Sequence, residues 1–180
     1  MARPEKTESV LVCVDADVLI AGLLSRTGAS HAILVLGELG LLRLVLPEAA
    51  VGEVRRNLAS KLPEAAPLFE EFLRAVSVQI YRPTPHDRER ARELADAKDV
   101  AILAAAIGAG ARMLVTHNIR HFRSGEGVRV VRPRTLLVEE VRAWLGSLGP
   151  MASLRGERDS QTGRKNRIGD KRDAVRLEAR

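Results

Sequence analysis

Five acidic residues stand where a strand or a helix would direct their side chains towards one point. Asp15 ends an apolar run, Asp17 follows two residues later, and Glu53 and Asp99 each lie near the predicted start of a helix, with Asp96 one turn before Asp99. Carboxylates gathered in a low-dielectric crevice repel one another, so they either take up protons or hold hard cations. The pattern therefore predicts an acidic crevice for Mg²⁺ or Mn²⁺ that hydrolyses phosphodiesters.

Each acid also has a structural alternative. Asp15 or Asp17 would serve as a helix cap, and a glutamate in a first turn, such as Glu53, interacts favourably with the helix dipole. If Asp96 is an N-cap, Asp99 takes the third position of a helix whose next residues are small and apolar. That helix should be buried, and an unpaired carboxylate beside it is costly. A metal ion or a positively charged partner must then compensate Asp99.

Strands and helices alternate along the chain. Short apolar runs predict strands at Val10–Val14, Leu42–Leu46, Val78–Tyr81, Arg112–Val115 and Val128–Val131. Helices are predicted at Ser30–Leu41 (with Ser30 as N-cap), Pro47–Ser60, Ala65–Val76, Pro85–Ala95, Lys98–Ala109 and Arg134–Leu148, the last carrying Trp144 on its apolar side. This alternation predicts an α/β three-layer sandwich in which a mostly parallel sheet is flanked by helices. Ligands of such sheets bind beyond the carboxyl ends of the strands.

The composition suits one domain with short extensions. The chain has 180 residues, of which 46% are hydrophobic and 29% charged, as in ordinary globular proteins. We expect an N-terminal extension at 1–8, the domain at 9–148 and a flexible basic tail at 149–180. From Pro150 onward, nine Arg or Lys less five Asp or Glu give the tail +4 of the net charge of +6. The tail is either a weak phosphate tether or a solvated end.

Several classes of site and location are disfavoured. The single Cys13 rules out an internal disulfide and a cysteine-ligated zinc or iron–sulfur site. No apolar run approaches the roughly 20 residues that span a bilayer, and the first nine residues lack the apolar stretch of a signal peptide. We therefore expect a cytoplasmic protein with no membrane partner.

Four segments in order resemble the PIN-domain family, especially the bacterial VapC-like toxin components of toxin–antitoxin pairs. The run Asp15-Ala16-Asp17-Val18-Leu19 resembles the family's opening Asp-Thr-Asn-Val-Leu, and Glu53 corresponds to its mid-chain glutamate. Asp99 corresponds to its third acid, in an Asp-rich turn before an alanine-rich helix, and Asp96 to an upstream acid. The segment from Thr116 to Phe122 resembles its Thr-x-Asp/Asn-x-x-Asp-Phe ending.

The resemblance covers about residues 9 to 145 and implies a function. It implies an Mg²⁺- or Mn²⁺-dependent endoribonuclease that hydrolyses RNA phosphodiester bonds, with an antitoxin protein as partner and a homodimeric state. The catalytic and metal-binding acids would be Asp15, Glu53 and Asp99. Further candidate metal ligands are Asp17, Asp96 and Asn118, and the candidates for positioning the substrate are Thr116, Asn118 and Arg120.

Two positions depart from the family pattern and keep alternatives open. Asn118 replaces the fourth acid, and His121 replaces the aspartate that usually precedes Phe122, although Asp17 stands where the family usually has asparagine and restores one charge. His121 itself fits a surface or packed histidine better than a ligand. A catalytically weakened PIN-like module that binds RNA or protein is the main alternative.

A phosphatase of the haloacid-dehalogenase type is a weaker alternative. Its Asp-x-Asp start also fits the run from Asp15 to Asp17. That chemistry needs a downstream lysine, and the body of the chain after Asp17 has only Lys61 and Lys98.

Overall fold

The predicted fold class is confirmed by a computed structural model, which describes residues 10–123 and 125–147. Five parallel strands form one sheet: β1 (Val10–Val14), β2 (Leu42–Pro47), β3 (Val78–Tyr81), β4 (Met113–Val115) and β5 (Arg129–Val131). The flanking helices are α1 (Ala16–Leu24), α2 (Ala29–Glu38), α3 (Glu48–Lys61), α4 (Ala66–Ala75), α5 (Pro85–Ala91), α6 (Val100–Gly108) and α7 (Pro133–Ser147). The expected extension and tail, the boundary near residue 149 and the side chain of Trp144 lie outside this description.

The sheet has the strand order β3-β2-β1-β4-β5, with β1 at its centre. Val12, Cys13 and Val14 of β1 are fully buried, because helices cover both faces of a parallel sheet and every side chain of a central strand meets one of them. From β1 the chain first builds β2 and β3 on one side and then returns to add β4 on the other. The gap beyond the carboxyl ends of β1 and β4 is thus the place where such sheets bind ligands.

Helix α6 is the most deeply buried helix segment near this gap. Its residues Ile102–Ile107 are at most 6% exposed, and the helix packs on β1, β2 and β4. Three successive alanines, Ala104–Ala106, allow the helix backbone to approach the sheet closely. Because α6 leads directly into β4, its N-terminus lies at the carboxyl edge of the sheet.

Helix α1 was not predicted, and its sequence explains why. The segment Ala16–Leu24 is apolar almost all round, so it lacks the polar stripe by which an amphipathic helix is recognised. Within the described parts of the chain, no single helix is long and apolar enough to cross a membrane. The pair α1 and α2 reaches that length and composition only together, across a bend of 91°.

The predicted N-cap of α2 and the predicted end of α5 are wrong. The N-cap position of α2 is Gly28, whose φ of +102° favours glycine, and Ser30 lies inside the first turn with its side chain buried. Helix α5 ends at Ala91 and not at Ala95, because Ala95 forms an antiparallel bridge with Phe122. That bridge brings the chain before α6 alongside the chain after β4.

A buried aspartate fixes the start of α5 against α6. Asp87 Oδ2 accepts hydrogen bonds from Thr84 N and Thr84 Oγ1, both at 2.8 Å, and from Tyr81 Oη at 3.1 Å. These donors hold the pKa of Asp87 below its usual value, the backbone N–H of Thr84 contributing most. Gly108 of α6 lies against this cluster, where a Cβ atom would be 2.5 Å from Tyr81 Oη and 2.6 Å from Asp87 Oδ2.

Replacing Gly108 by alanine should therefore destabilise the protein. The added methyl group must displace buried, hydrogen-bonded atoms, and overpacking of this kind costs about 1–3 kcal/mol. The matched control is Gly52→Ala in α3, where the new Cβ would meet only the flexible end of Arg56 at 3.2 Å. That change should raise stability by about 0.5–1 kcal/mol through helix propensity. Urea denaturation of both variants measures the difference, and equal effects would contradict the packing seen at Gly108.

Candidate metal centre

Asp15 and Thr116 lie side by side at the carboxyl ends of β1 and β4. The register pairs Val14 with Val115, and Asp15 N donates to Val115 O at 3.0 Å. The side chain of Thr116 is fully buried, and Asp15 is only 9% exposed. The central strand pair therefore places an acid and a hydroxyl in contact although 101 residues separate them.

Asp15 is a helix cap, the structural alternative considered for it, and its carboxylate still has room for a further ligand. Its Oδ1 accepts a hydrogen bond from Ala16 N at 2.7 Å and so caps α1, as the N-cap geometry of Asp15 also shows. Its Oδ2 accepts from Thr116 Oγ1 at 2.8 Å. A carboxylate has about four lone-pair sites, so these two bonds leave acceptor capacity on both oxygens.

Asp17 lies in the first turn of α1 and is held by the turn that follows β4. Its Oδ2 accepts from Asn118 Nδ2 at 2.9 Å and from His117 N at 3.1 Å, with Thr116 Oγ1 at 3.3 Å. Its Oδ1 is buried and has no hydrogen-bond partner. Asp17 is thus not the cap of α1, and one of its oxygens is withdrawn from water without compensation.

The electrostatics of Asp15 reflect this crowding. Burial, then repulsion from Asp17 and a smaller repulsion from Glu53, raises the pKa of Asp15 from 3.8 to about 6, although the hydrogen bonds from Thr116 and Ala16 oppose the rise. Burial, reinforced by the charge of Asp15, also raises the pKa of the Cys13 thiol well above its usual value. Cys13 is therefore an unreactive core residue, as its place in a buried strand predicts.

Glu53 belongs to the same neighbourhood, but not at the start of a helix. It is the sixth residue of α3, which begins at Glu48, so the prediction that Glu53 sits in a first turn is wrong. Its side chain is exposed, and its charge makes the smallest of the contributions that raise the pKa of Asp15.

A second group surrounds the N-terminus of α6. Asp99 is the N-cap residue of α6 and not its third residue, so the predicted position of Asp99 is wrong, and its side chain makes no capping hydrogen bond. Its Oδ2 is buried and lies 3.1 Å from His121 Nδ1, but the contact lacks hydrogen-bond geometry. One ligand atom from each of Asp96, Asp99 and His121 lies within 4.8 Å of the other two.

The predicted acids thus fall into two groups. The first group contains Asp15, Asp17 and Glu53, and the second contains Asp96, Asp99 and His121. Among the described residues, the potential ligand atoms of the second group all lie within 4.8 Å of one another. Those of the predicted trio, Asp15, Glu53 and Asp99, do not. The sequence favoured a surface or packed role for His121 over that of a ligand, and the structure places its imidazole, 32% exposed, 3.1 Å from Asp99 Oδ2.

The residues predicted to position a substrate differ in their exposure. Thr116 is buried and directs its hydroxyl to Asp15. Asn118 and Arg120 are exposed, and the amide of Asn118 is bonded to Asp17. Among other exposed arginines, Arg55 is bound to Glu70 by two hydrogen bonds of 2.8 and 3.1 Å and is less available to a phosphate.

The donor set fits a divalent cation. Two carboxylate oxygens in the described residues, Asp17 Oδ1 and Asp99 Oδ2, are buried without a hydrogen-bond partner, and each such oxygen normally needs a donor or a positive charge. Oxygen donors from several carboxylates suit Mg²⁺ and Mn²⁺. Repulsion at Asp15 is the second sign of an uncompensated negative charge.

Asp15→Asn should stabilise the metal-free protein at neutral pH. A folded-state pKa of about 6 against 3.8 means that the stability contributed by protonated Asp15 is complete below about pH 4 and is lost as the pH rises through about 6. The loss amounts to about 3 kcal/mol at pH 7 and above. Asparagine cannot ionise, so the variant should not show this fall. Denaturation in chelator between pH 4 and pH 8 measures it.

Asp87→Asn is the control for this experiment. Asp87 is a buried aspartate whose pKa is lowered by its donors, so its ionised form stabilises the fold and the substitution should destabilise it at neutral pH. Similar pH profiles for wild type and Asp15→Asn would show that Asp15 is an ordinary helix cap.

Comparisons with known proteins agree with this architecture. The profile described as PIN domain matches residues 11–120. The fold is similar to that of VapBC2 from Rickettsia felis bound to a promoter DNA fragment, with 14% identity, a TM-score of 0.54 and coverage of 68% of this chain and 98% of that one. The fold is also similar to that of DNA-bound VapBC from Salmonella typhimurium, with 19% identity, a TM-score of 0.54 and coverage of 69% of this chain and 98% of that one. For VapBC-1 from nontypeable Haemophilus influenzae the identity is 16%, the TM-score is 0.52, and the coverage is 69% of this chain and 99% of that one. No curated protein sequence matches the chain.

Proposed function

The chain belongs to the PIN domain family, and from this premise we propose that it is an Mg²⁺- or Mn²⁺-dependent endoribonuclease that hydrolyses RNA phosphodiester bonds. The observation that carries the proposal is that Asp17 and Asp99 each have a buried carboxylate oxygen without a hydrogen-bond partner. A fold gains nothing from such oxygens unless a cation compensates them. Family membership favours this reaction over a phosphatase of the haloacid-dehalogenase type.

The acids have separate tasks in this proposal. Asp15, Asp17 and Glu53 hold a cation from the β1 side, and Asp99, with Asp96, holds it from the α6 side. A bound Mg²⁺ or Mn²⁺ would act as a Lewis acid at the phosphate and would lower the pKa of a bound water.

The neighbouring polar groups orient these acids. The Thr116 hydroxyl and the Ala16 amide fix both oxygens of Asp15, which limits the rotation of its carboxylate. Asn118 fixes Asp17 in the same way. Arg120 is exposed two residues beyond Asn118, where its positive charge attracts the substrate phosphate.

Recognition of RNA should be through its backbone and shape. Phe69, Phe72 and Phe122, the three phenylalanines of the chain, are buried, and the hydroxyl of Tyr81 is bonded to Asp87. Base stacking needs exposed aromatic rings, which these residues do not supply. Phosphate contacts by arginine remain, and they carry little sequence information.

The proposal extends to the biological role of the protein. The similar folds occur in VapBC structures, two of them bound to DNA, which supports a role as the toxin of a toxin–antitoxin pair. We expect a protein antitoxin that blocks the acidic crevice, for which an arginine side chain has the right charge. A homodimer in the cytoplasm is the expected form.

Asp15→Asn and Asp99→Asn should each abolish metal-dependent cleavage of RNA. Each change removes a negative charge that faces the cation, so the loss in rate should be about 100-fold or more. Cleavage of a labelled RNA with Mg²⁺ or Mn²⁺, and with chelator as a blank, measures the effect. The matched control is Glu71→Gln, which neutralises an exposed acid of α4 and should leave cleavage unchanged.

Equal cleavage by wild type and Asp15→Asn would point to a contaminating nuclease. If the wild type binds Mn²⁺ and RNA but never cleaves, the protein is the catalytically weakened PIN-like module instead.

The contact between Asp17 and Asn118 predicts a test by exchange. Asn118→Asp alone should destabilise the metal-free protein by about 1–3 kcal/mol, since it removes the donor to Asp17 and places two like charges in contact. The double variant Asp17→Asn/Asn118→Asp keeps one amide and one carboxylate in the pair. It should recover most of that stability and retain metal binding. Thermal denaturation with and without Mn²⁺ measures both, and additive losses would contradict a paired function.

A further inference from the structure

We propose that Ser30 is a positioning residue for the metal centre, because its hydroxyl holds His117 and thereby the turn that orients Asp17. This inference rests on the proposed function and deepens it, since it names a residue of α2 that sets how tightly the same site binds its cation. Ser30 Oγ lies 3.0 Å from His117 Nε2, although 87 residues separate the two along the chain.

The turn after β4 holds one oxygen of Asp17 in place. Asp17 Oδ2 accepts hydrogen bonds from Asn118 Nδ2 at 2.9 Å and from His117 N at 3.1 Å, and the Thr116 hydroxyl lies 3.3 Å from it. The other oxygen, Oδ1, is buried and has no hydrogen-bond partner in the described part of the chain. A carboxylate anchored through one oxygen keeps a fixed orientation. The position of the turn therefore determines where Oδ1 points.

The side chain of His117 joins this turn to α2. Its backbone N–H donates to Asp17, while its ring nitrogen Nε2 is hydrogen-bonded to Ser30 Oγ. His117 is exposed, so packing against neighbouring side chains does little to hold it. Loss of the Ser30 hydroxyl should therefore let the turn, and with it the donor to Asp17, move.

Ser30 is a firm anchor because α2 packs closely on α1. Ser30 is only 7% exposed, and a Cβ atom on Gly22 of α1 would lie 2.9 Å from Ser30 O. His31 Nδ1 lies 3.0 Å from Gly22 O and must be the donor, since a carbonyl oxygen only accepts. Helix α1 also carries Asp17. The contacts thus run from Asp17 through the turn and α2 back to the helix of the same acid.

A structural role for Ser30 makes a different prediction. The first turn of α2 receives no hydrogen bond from a side chain at its N-cap, which is Gly28, so the Ser30 hydroxyl serves the distant His117 and not that cap. A hydrogen bond that only stabilises the fold would change stability and leave the affinity for a cation alone. A bond that orients Asp17 changes both.

Ser30→Ala and His117→Ala in the full chain test the inference without RNA or activity. Calorimetric titration with Mn²⁺ gives the affinity, and thermal denaturation in chelator gives the stability separately. Each change should weaken Mn²⁺ binding by about tenfold. The double variant should lose no more affinity than either single variant, because both changes break the same hydrogen bond.

Three further variants make the comparison specific. His117→Gln keeps a side-chain amide that can meet the Ser30 hydroxyl, so it should bind Mn²⁺ as tightly as the wild type does. The matched controls are Ser60→Ala, at an exposed serine of α3 bonded to Asn57 O, and His86→Ala, at an exposed histidine of α5. Both controls should keep the affinity of the wild type.

The outcomes separate this inference from the proposed function. Unchanged Mn²⁺ affinity in Ser30→Ala and His117→Ala overturns the inference and leaves the nuclease proposal standing, as does a loss in His117→Gln equal to that in His117→Ala. Failure of the wild type to bind Mn²⁺ overturns both. If Ser30→Ala does not fold, the two variants at the exposed His117 decide the question by the same difference in affinity.

Discussion

Repulsion between Asp15 and Asp17 at the junction of β1 and β4 is the constraint on which the site depends. Both carboxylates lie at the start of α1, and the turn after β4 supplies a donor to each of them. Those donors offset part of the effect of burial and of this repulsion, but they leave the pKa of Asp15 at about 6 and one oxygen of Asp17 without a partner. Incompletely compensated carboxylates therefore lie at the edge where parallel sheets bind ligands.

Two buried aspartates of this protein show how structural and functional acids differ. Asp87 accepts three hydrogen bonds through one oxygen, and its pKa is lowered, so its charge stabilises the packing of α5 on α6. Asp15 is also buried, but its pKa is raised, because burial and then repulsion from Asp17 outweigh its two hydrogen bonds. Burial alone does not distinguish them. The balance between donors and like charges does, and a raised carboxylate pKa at a sheet edge is typical of sites that bind a cation.

The two positions that depart from the family pattern, Asn118 and His121, each contact an acid of the site in this structure. The amide of Asn118 and the carboxylate of Asp17 are hydrogen-bonded, so the negative charge missing at position 118 is present on the other member of the pair. At position 121 a histidine faces Asp99 in place of the usual acid. The total charge around the site is therefore redistributed, and a nitrogen donor enters a group otherwise composed of carboxylates. The chemistry proposed for the site remains that of a PIN-domain nuclease with its own set of ligands.

The sequence by itself determined the fold class and nearly all of the strands and helices, because apolar runs and amphipathic periods report which faces are buried. It also made Asp15 and Asp99 candidate site residues, since an acid at a strand end or before a buried helix needs a partner. Helix α1 escaped prediction because its residues are apolar on every side. Only the tertiary structure decided that Asp17 meets Asn118, that Glu53 lies in the second turn of α3, and that Asp96, Asp99 and His121 form one group. Those contacts join residues from separate elements, and their spacing depends on strand order and on the ladder between residues 94–96 and 121–123, which no local pattern encodes.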